Sequence, residues 1–134
     1  MSNSVVVVTG GSGGIGQALI KKYLQEGCFV ISADLKKTTD YDDKNFSFLQ
    51  CNVECENSIN NLFEFVLKKY NRIDYFFSNA GILSLGDENS SNFDWEKNWK
   101  LHLMSHVFVS RKLLPIFKMQ KFGYLLITAS AAGL

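Results

Sequence analysis

The sequence predicts a doubly wound α/β domain of three layers, in which a parallel β-sheet lies between helices on both faces. Three observations support this fold class. Apolar, β-branched runs of strand length alternate with helical segments, a glycine-rich turn follows the first run, and 46% of the 134 residues are apolar. Alternating strands and helices imply parallel pairing through right-handed crossovers. We find no internal boundary in the sequence and therefore expect a single domain.

Five segments have the composition of β-strands. The first, Val5–Thr9, is a β-branched run that ends in glycines, as expected of a strand covered on both faces. The second is Phe29–Asp34. The remaining three are residues 46–51, 73–78 and 124–130.

Three segments are predicted to be helical. Residues 14–26 end at Gly27, a suitable C-terminal stop, and residues 58–70 are amphipathic. Residues 93–120 are expected to hold a short helix and then a long one, which Pro115 kinks or shortens. The expected inner stripe of the first helix consists of Ile15, Ala18, Leu19 and the aliphatic stem of Lys22. That of the second helix consists of Ile59, Leu62, Phe63, Val66 and Leu67.

Charge and cysteine content argue against several classes of function. The formal net charge is +1, so no basic field points to nucleic acid or to an anionic membrane surface. Residues 1–8 have no charged leader, and their run of valines is too short for a signal peptide or a membrane span. The odd number of cysteines favours reduced thiols and a cytoplasmic location. Cys51 and Cys55 lack a second pair of ligands nearby in the sequence, so we expect no metal site.

The strongest functional motif is the turn between the first strand and the first helix, residues 9–16, with the sequence TGGSGGIG. Glycines in such a turn allow a tight bend, a close approach of the backbone to a pyrophosphate, and close packing of helix against strand. The helix N-terminus then offers N–H groups and the positive end of its dipole to the phosphates. No Lys-Ser or Lys-Thr follows the last glycine, which argues against the phosphate loop of nucleoside triphosphatases. The turn therefore predicts a Rossmann-like dinucleotide-binding fold.

The spacing of these glycines is compatible with two patterns. The general dinucleotide-binding pattern is matched by Gly11, Gly13 and Gly16. A variant with three residues between its first two glycines is matched by Thr9, Gly10, Gly14 and Gly16.

An acidic residue follows at the position expected to contact the adenosine ribose. Asp34 ends the second predicted strand, 18 residues after Gly16. A carboxylate there accepts hydrogen bonds from both ribose hydroxyls and repels a 2′-phosphate, so we predict NAD(H) as the cofactor. Lys36 and Lys37 would offer positive charge to a 2′-phosphate, and NADP(H) is therefore the alternative.

Three further motifs resemble a known family. Residues 78–81 read SNAG, residues 113–115 read LLP near the end of the predicted long helix, and residues 123–134 read GYLLITASAAGL. In this order they are similar to the Asn-Asn-Ala-Gly motif, the Leu-Pro motif and the serine-bearing strand of the classical short-chain dehydrogenase/reductase family. The second glycine pattern resembles the same family. The resemblance covers essentially the whole chain. Asn52 and Ser78 depart from the family pattern, because the family usually has aspartate at the first position and asparagine at the second.

The resemblance implies roles for individual residues. Ser130 matches the catalytic serine, whose hydroxyl hydrogen-bonds the substrate oxygen and polarises the reacting bond. His102 occupies the position of an asparagine in the family's proton relay, where it would bridge water to the relay or titrate near neutral pH. Asn98, one helical turn earlier, is the alternative. The family's general acid is a tyrosine with a lysine four residues later, on the helix after the fifth strand, and no tyrosine of this chain matches it. The residues expected to bind the cofactor are Gly10, Ser12, Gly14, Ile15, Gly16, Asp34, Leu35, Asn52, Val53, Asn79, Ala80 and Gly81.

The implied activity is interconversion of an alcohol and a carbonyl by hydride transfer with NAD(H), on a small-molecule alcohol or ketone. We expect a cytoplasmic homo-oligomer with neither nucleic acid nor membrane as a partner. The chain stops directly after a strand that another helix should cover, so we expect an incomplete, C-terminally truncated domain that is inactive alone. One alternative is a non-catalytic dinucleotide-binding sensor or scaffold, motivated by the departures at Asn52, Ser78 and His102. The other, an epimerase or dehydratase of the extended branch of the superfamily, is disfavoured by the glycine spacing.

Overall fold

The five strands that the structure describes form one parallel sheet, in the order β3-β2-β1-β4-β5. The structure is a computed structural model that describes residues 2–37 and 39–130. In chain order the elements are β1 (Val5–Thr9), α1 (Gly14–Gln25), β2 (Phe29–Asp34), β3 (Phe46–Gln50), α2 (Glu56–Tyr70), β4 (Tyr75–Ser78), α3 (Asn92–Trp99), a π-helical turn (Lys100–Met104), α4 (Ser105–Gln120) and β5 (Tyr124–Ile127).

Helices cover both faces of this sheet, as the sequence predicts. Successive side chains of a strand point to opposite faces, and the four valines of β1 therefore divide between two cores. Val6 and Val8 pack with Ile20 of α1. Val5 and Val7 belong to the cluster that contains the buried residues of α2 and α4. All four valines are buried, which confirms the three-layer α/β/α architecture.

The strand order reverses beside β1. The chain moves outward from β1 to β2 and β3, and then crosses to the other side of β1 to form β4 and β5. Loops at the carboxyl ends of β1 and β4 therefore diverge in opposite directions and leave a crevice, which is where ligands bind in open α/β sheets.

The predicted inner stripe of α1 is confirmed only at Leu19, which is partly buried and packs against the core. Ile15 is 61% exposed and Ala18 is exposed, whereas the buried residues of the helix are Gly16, Ile20 and Tyr23. A side chain at position 16 would lie only 2.2 Å from the carbonyl oxygen of Gly10. The close approach of the first turn to residues 10–11 thus determines which face of α1 packs against the sheet.

Other boundaries differ from the predictions by two or three residues at most. The second helix begins at Glu56 and not at residue 58, and β4 begins at Tyr75. The third and fifth strands end earlier than predicted, at Gln50 and Ile127. The predicted inner stripe of α2 is confirmed, because four of its five members are buried and Leu67 packs against the same core.

Pro115 does not shorten the long helix, which continues to Gln120. A proline in a helix leaves the carbonyl four residues earlier without its usual donor. That carbonyl belongs to Arg111, and both residues are exposed, so water can hydrogen-bond to it. Within residues 2–37 and 39–130, no helix is long and apolar enough to cross a membrane.

Candidate functional site

A cleft of about 1680 Å³ opens at the carboxyl ends of the strands. Its walls are the glycine turn, the end of β2, and the segments after β3, β4 and β5. One side of α3, the π-helical turn and the start of α4 complete them. All residues that the sequence predicts for the site line this cleft, with the exception of Ser12. Ser12 is hydrogen-bonded to Asp34, which does line it. The structure thus brings the nominated residues together, and their individual roles stay predictions.

The glycine turn leaves the start of α1 open to the cleft. The helix begins at Gly14, and its N-cap, Gly13, carries no side chain that would cover the first-turn N–H groups. A Cβ atom on Gly14 would meet no atom within 4 Å. The N–H groups of the first turn have no intrahelical acceptor, and with the helix dipole they suit an anionic group such as a pyrophosphate.

Steric contacts show which positions of the turn have no room for a side chain. Gly10 has a φ of +66°, and a Cβ there would lie 2.7 Å from the Cα of Ala80. Side chains at Gly10 and Gly16 would therefore collide with backbone, whereas a Cβ on Gly13 would make only an ordinary 3.5 Å contact. A Cβ on Gly11 would lie 2.2 Å from the hydroxyl oxygen of Ser32. Each pattern therefore contains one glycine of its own that a side chain would crowd, and Gly16 belongs to both, so both patterns stay compatible with the geometry.

The carboxylate of Asp34 faces the glycine turn. Its Oδ2 accepts from the backbone N–H of Ser12 at 2.9 Å, and its Oδ1 accepts from the N–H of Leu35 at 2.6 Å. The hydroxyl of Ser12 also donates to the carbonyl oxygen of Lys36. The end of β2 is thereby attached to the turn, and Asp34 keeps lone pairs on both oxygens for a ligand.

Asn79 links the carboxyl ends of β1, β4 and β5. Its side-chain amide donates to the carbonyl oxygen of Thr9 at 3.1 Å, and its Oδ1 accepts from the hydroxyl of Thr128 at 2.9 Å. The hydroxyl of Thr9 accepts from the backbone N–H groups of Asn79 and Ala80 at 3.0 and 3.2 Å. These bonds hold residues 79–81, the floor of the cleft, against the glycine turn. Asn79 therefore positions this floor, and that role does not depend on contact with a ligand.

Asn52 forms part of a compact turn after β3. Its Oδ1 accepts from the N–H of Glu54 at 3.0 Å, and its own N–H donates to the hydroxyl of Ser58 at 2.9 Å. Val53 beside it is buried in the core while also lining the cleft. The side-chain oxygen of Asn52 accepts within the turn and keeps a second lone pair, so the predicted contact with adenine would use this oxygen or the side-chain NH₂ group.

His102 and Ser130 lie on the walls of the same cleft. The His102 ring packs so closely against Gly81 that a Cβ atom there would lie 3.1 Å from its Cε1. His102 belongs to the π-helical turn, where the hydroxyl of Ser105 donates to the carbonyl of Leu101 at 2.6 Å. Single π-helical turns within helices occur frequently at functional sites.

The alternative relay residue, Asn98, also lines the cleft. Its side-chain amide donates to the carbonyl oxygen of Asp94 at 2.8 Å. This bond within α3 holds the Asn98 amide against its own helix. Both residues therefore line the cleft, and which of them belongs to the relay stays a prediction.

Sequence reasoning missed a second histidine in the cleft. The Nδ1 of His106 lies 2.6 Å from the hydroxyl oxygen of Ser78, which is only 3% exposed. Burial lowers the pKa of His106 from its ordinary value of 6.5, and the neighbouring His102 lowers it further. Two signals were present in the sequence: the spacing of four residues between the histidines, which places them on one face of a helix, and the serine that replaces asparagine at position 78.

Comparisons with known proteins agree with this geometry. The sequence model described as short chain dehydrogenase matches residues 4–134. The chain is 32% identical to a peroxisomal hydratase-dehydrogenase-epimerase of Neurospora crassa, over 97% of this chain and 16% of that protein. It is 31% identical to asnovolin H dehydrogenase nvfC of Aspergillus novofumigatus, over 97% of this chain and 52% of the relative. The solved structure of levodione reductase superposes with a TM-score of 0.91 at 25% identity, covering 99% of this chain and 56% of the other.

Proposed function

Because this chain belongs to the short-chain dehydrogenase family, we propose that it is the dinucleotide-binding part of an NAD(H)-dependent oxidoreductase that interconverts an alcohol and a carbonyl compound by hydride transfer. The observation that carries the proposal is the position of the Asp34 carboxylate, hydrogen-bonded to the glycine turn on the wall of the cleft. Both curated relatives compared above are named as dehydrogenases, which supports the redox class.

The residues of the cleft fit a nicotinamide dinucleotide. The first-turn N–H groups of α1 would hold the pyrophosphate, and Asp34 would accept hydrogen bonds from the adenosine ribose. When bound, the cofactor supplies the nicotinamide ring that exchanges a hydride with the substrate. NAD(H) is preferred over NADP(H) in this proposal, because a 2′-phosphate beside Asp34 would place two anionic groups in contact.

The reacting end of the substrate would lie near Ser130 and His102. The hydroxyl of Ser130 would donate to the substrate oxygen and stabilise the charge that develops there. His102 would exchange protons with water in the cleft. The chain spans 16% and 52% of the two relatives compared above. We therefore propose turnover only for Ser130 and His102 acting together with the tyrosine and lysine that the family employs. The cytoplasmic location, the homo-oligomeric state and the small-molecule substrate stay predictions.

Asp34→Ala tests the cofactor assignment. We expect this substitution to weaken NAD binding about 10- to 100-fold, since it removes hydrogen bonds between a charged acceptor and both ribose hydroxyls. NADP binding should be unchanged or tighter, because the repelling carboxylate is gone. Isothermal titration calorimetry with each dinucleotide measures both effects. Asp42→Ala, an exposed aspartate outside the residues that line the cleft, is the matched control and should leave both affinities unchanged.

Two results would count against this proposal. Equal losses of NAD affinity in Asp34→Ala and Asp42→Ala would remove the role of Asp34. Tight NAD binding without NADH formation from any secondary alcohol, measured by absorbance on the full-length protein, would favour the non-catalytic sensor or scaffold.

A further inference from the structure

Ser12 attaches the end of β2 to the glycine turn through two groups, and a third group is hydrogen-bonded to α1. Its backbone N–H donates to Asp34, and its hydroxyl donates to the carbonyl oxygen of Lys36. Its own carbonyl oxygen accepts from the side-chain amide of Gln17 at 2.8 Å. The hydrogen bond to Lys36 is the only one of the three that requires the serine side chain.

We infer that Ser12 is a positioning residue for cofactor choice: its hydroxyl holds residues 34–36 against the glycine turn, so that the carboxylate of Asp34, and not a lysine of the same segment, faces the adenosine ribose. This inference rests on the proposed function. It adds a determinant of the choice between NAD and NADP that acts without needing to touch the cofactor.

The two lysines after Asp34 make such a restraint necessary. Either cation would neutralise a 2′-phosphate if the segment turned it toward the ribose. Lys37 Nζ lies 2.7 Å from Asp40, but both side chains are well exposed, at 41% and 82%, and exposed ion pairs restrain a chain weakly. The hydrogen bond to the Lys36 carbonyl is exposed as well, but it acts on the backbone itself and therefore restrains directly where this segment lies.

A second side chain, on the other side of residues 34–36, also restrains their backbone. The side-chain amide of Gln50, at the end of β3, donates to the carbonyl oxygen of Leu35 at 3.1 Å. Leu35 is 56% exposed, so hydrophobic burial contributes little to its position. Successive carbonyls at positions 35 and 36 are thus held from two sides, by Gln50 and by Ser12. Loss of the Ser12 hydroxyl would leave the Lys36 carbonyl without this restraint, while Gln50 still holds Leu35 and the Ser12 N–H still holds the Asp34 carboxylate.

The test compares dissociation constants for NAD and NADP by isothermal titration calorimetry. Ser12→Ala keeps the backbone N–H and removes the hydroxyl. We expect the ratio of the NADP constant to the NAD constant to fall about fivefold, the value of one ordinary hydrogen bond. Ser12→Thr keeps a hydroxyl and should keep the wild-type ratio. Gln17→Leu removes the donor to the Ser12 carbonyl, and should lower the ratio in the same direction.

Ser47→Ala is the matched control. This serine on β3 also uses its hydroxyl in a hydrogen bond, from Lys69 Nζ at 2.8 Å, and lies outside the residues that line the cleft. Its removal should not change the ratio. Thermal unfolding of each variant, recorded without ligand, separates a change in cofactor choice from loss of the fold.

The outcomes separate this inference from the proposed function. Unchanged ratios in folded Ser12→Ala and Gln17→Leu, with NAD still bound tightly, would overturn the role of Ser12 and leave the oxidoreductase proposal standing. A wild-type protein that binds neither dinucleotide would overturn both.

Discussion

The hydrogen bond between Ser78 and His106 places a half-buried imidazole in the wall of the cleft. Ser78 ends β4 and His106 lies in the first turn of α4, so the pair fixes the start of the long helix relative to the sheet. Burial favours the neutral ring because the imidazolium would lose its hydration. When the ring is protonated, both of its nitrogens become donors and neither can accept from the serine hydroxyl.

The lowered pKa of His106 predicts that stability falls in mild acid. The unfolded chain binds a proton at this residue as the pH drops below its ordinary pKa of 6.5, while the folded protein resists protonation. Stabilisation is therefore fully present above the unfolded pKa and is lost as the pH falls toward the folded pKa. Urea unfolding between pH 7.5 and 5.5 should show a smaller decrease in the free energy of unfolding for His106→Gln than for wild type.

His102→Gln serves as the control for this measurement, since these two are the histidines of the chain. It leaves the His106 ring buried against Ser78 and should retain most of the wild-type pH dependence. Parallel pH profiles for wild type and His106→Gln would show that His106 does not resist protonation in the folded state.

At the scale of the element, one face of α1 packs against the sheet and another lines the cleft. Ile20 is fully buried against the valines of β1, whereas Ile15, five residues earlier, is 61% exposed and lines the cleft. The two faces follow from Gly16, where the helix touches residues 10–11. The same helix therefore stabilises the sheet through one isoleucine and presents another to the cleft.

These two isoleucines should respond differently to truncation. Ile20→Ala should lower the free energy of unfolding by about 2–5 kcal/mol, because it leaves a cavity in the core. Ile15→Ala should change that free energy by no more than about 0.5 kcal/mol, as for other exposed positions, but should weaken NAD binding. Urea unfolding and calorimetric titration of both variants measure the difference. Equal destabilisation by the two substitutions would contradict this division of the helix.

At the scale of the molecule, the site depends on how the sheet is ordered. The glycine turn follows β1, Asp34 ends β2, residues 79–81 follow β4, and Ser130 follows β5. Parallel strands bring all of these carboxyl ends to one edge, and the reversal of strand order beside β1 opens the crevice between them. The hydrogen bonds of the Asn79 side chain then hold the glycine turn and residues 79–81 together.

The sheet and the cofactor end of the cleft are readable from the sequence because their signals are local. Apolar runs mark the strands, and the glycines and Asp34 stand at fixed spacing along the chain. Most of the packed face of α1 escaped prediction, with Leu19 the exception, because contact of Gly16 with the preceding turn sets that face and periodicity does not. The pair of Ser78 and His106 escaped because its members lie 28 residues apart and meet only in the fold.

A crystal structure of the protein with bound NAD tests the central claim most directly. We expect both hydroxyls of the adenosine ribose within hydrogen-bond distance of the Asp34 carboxylate, and the pyrophosphate against the backbone N–H groups of residues 14–16. An adenosine bound anywhere other than between that carboxylate and the glycine turn would contradict the assignment.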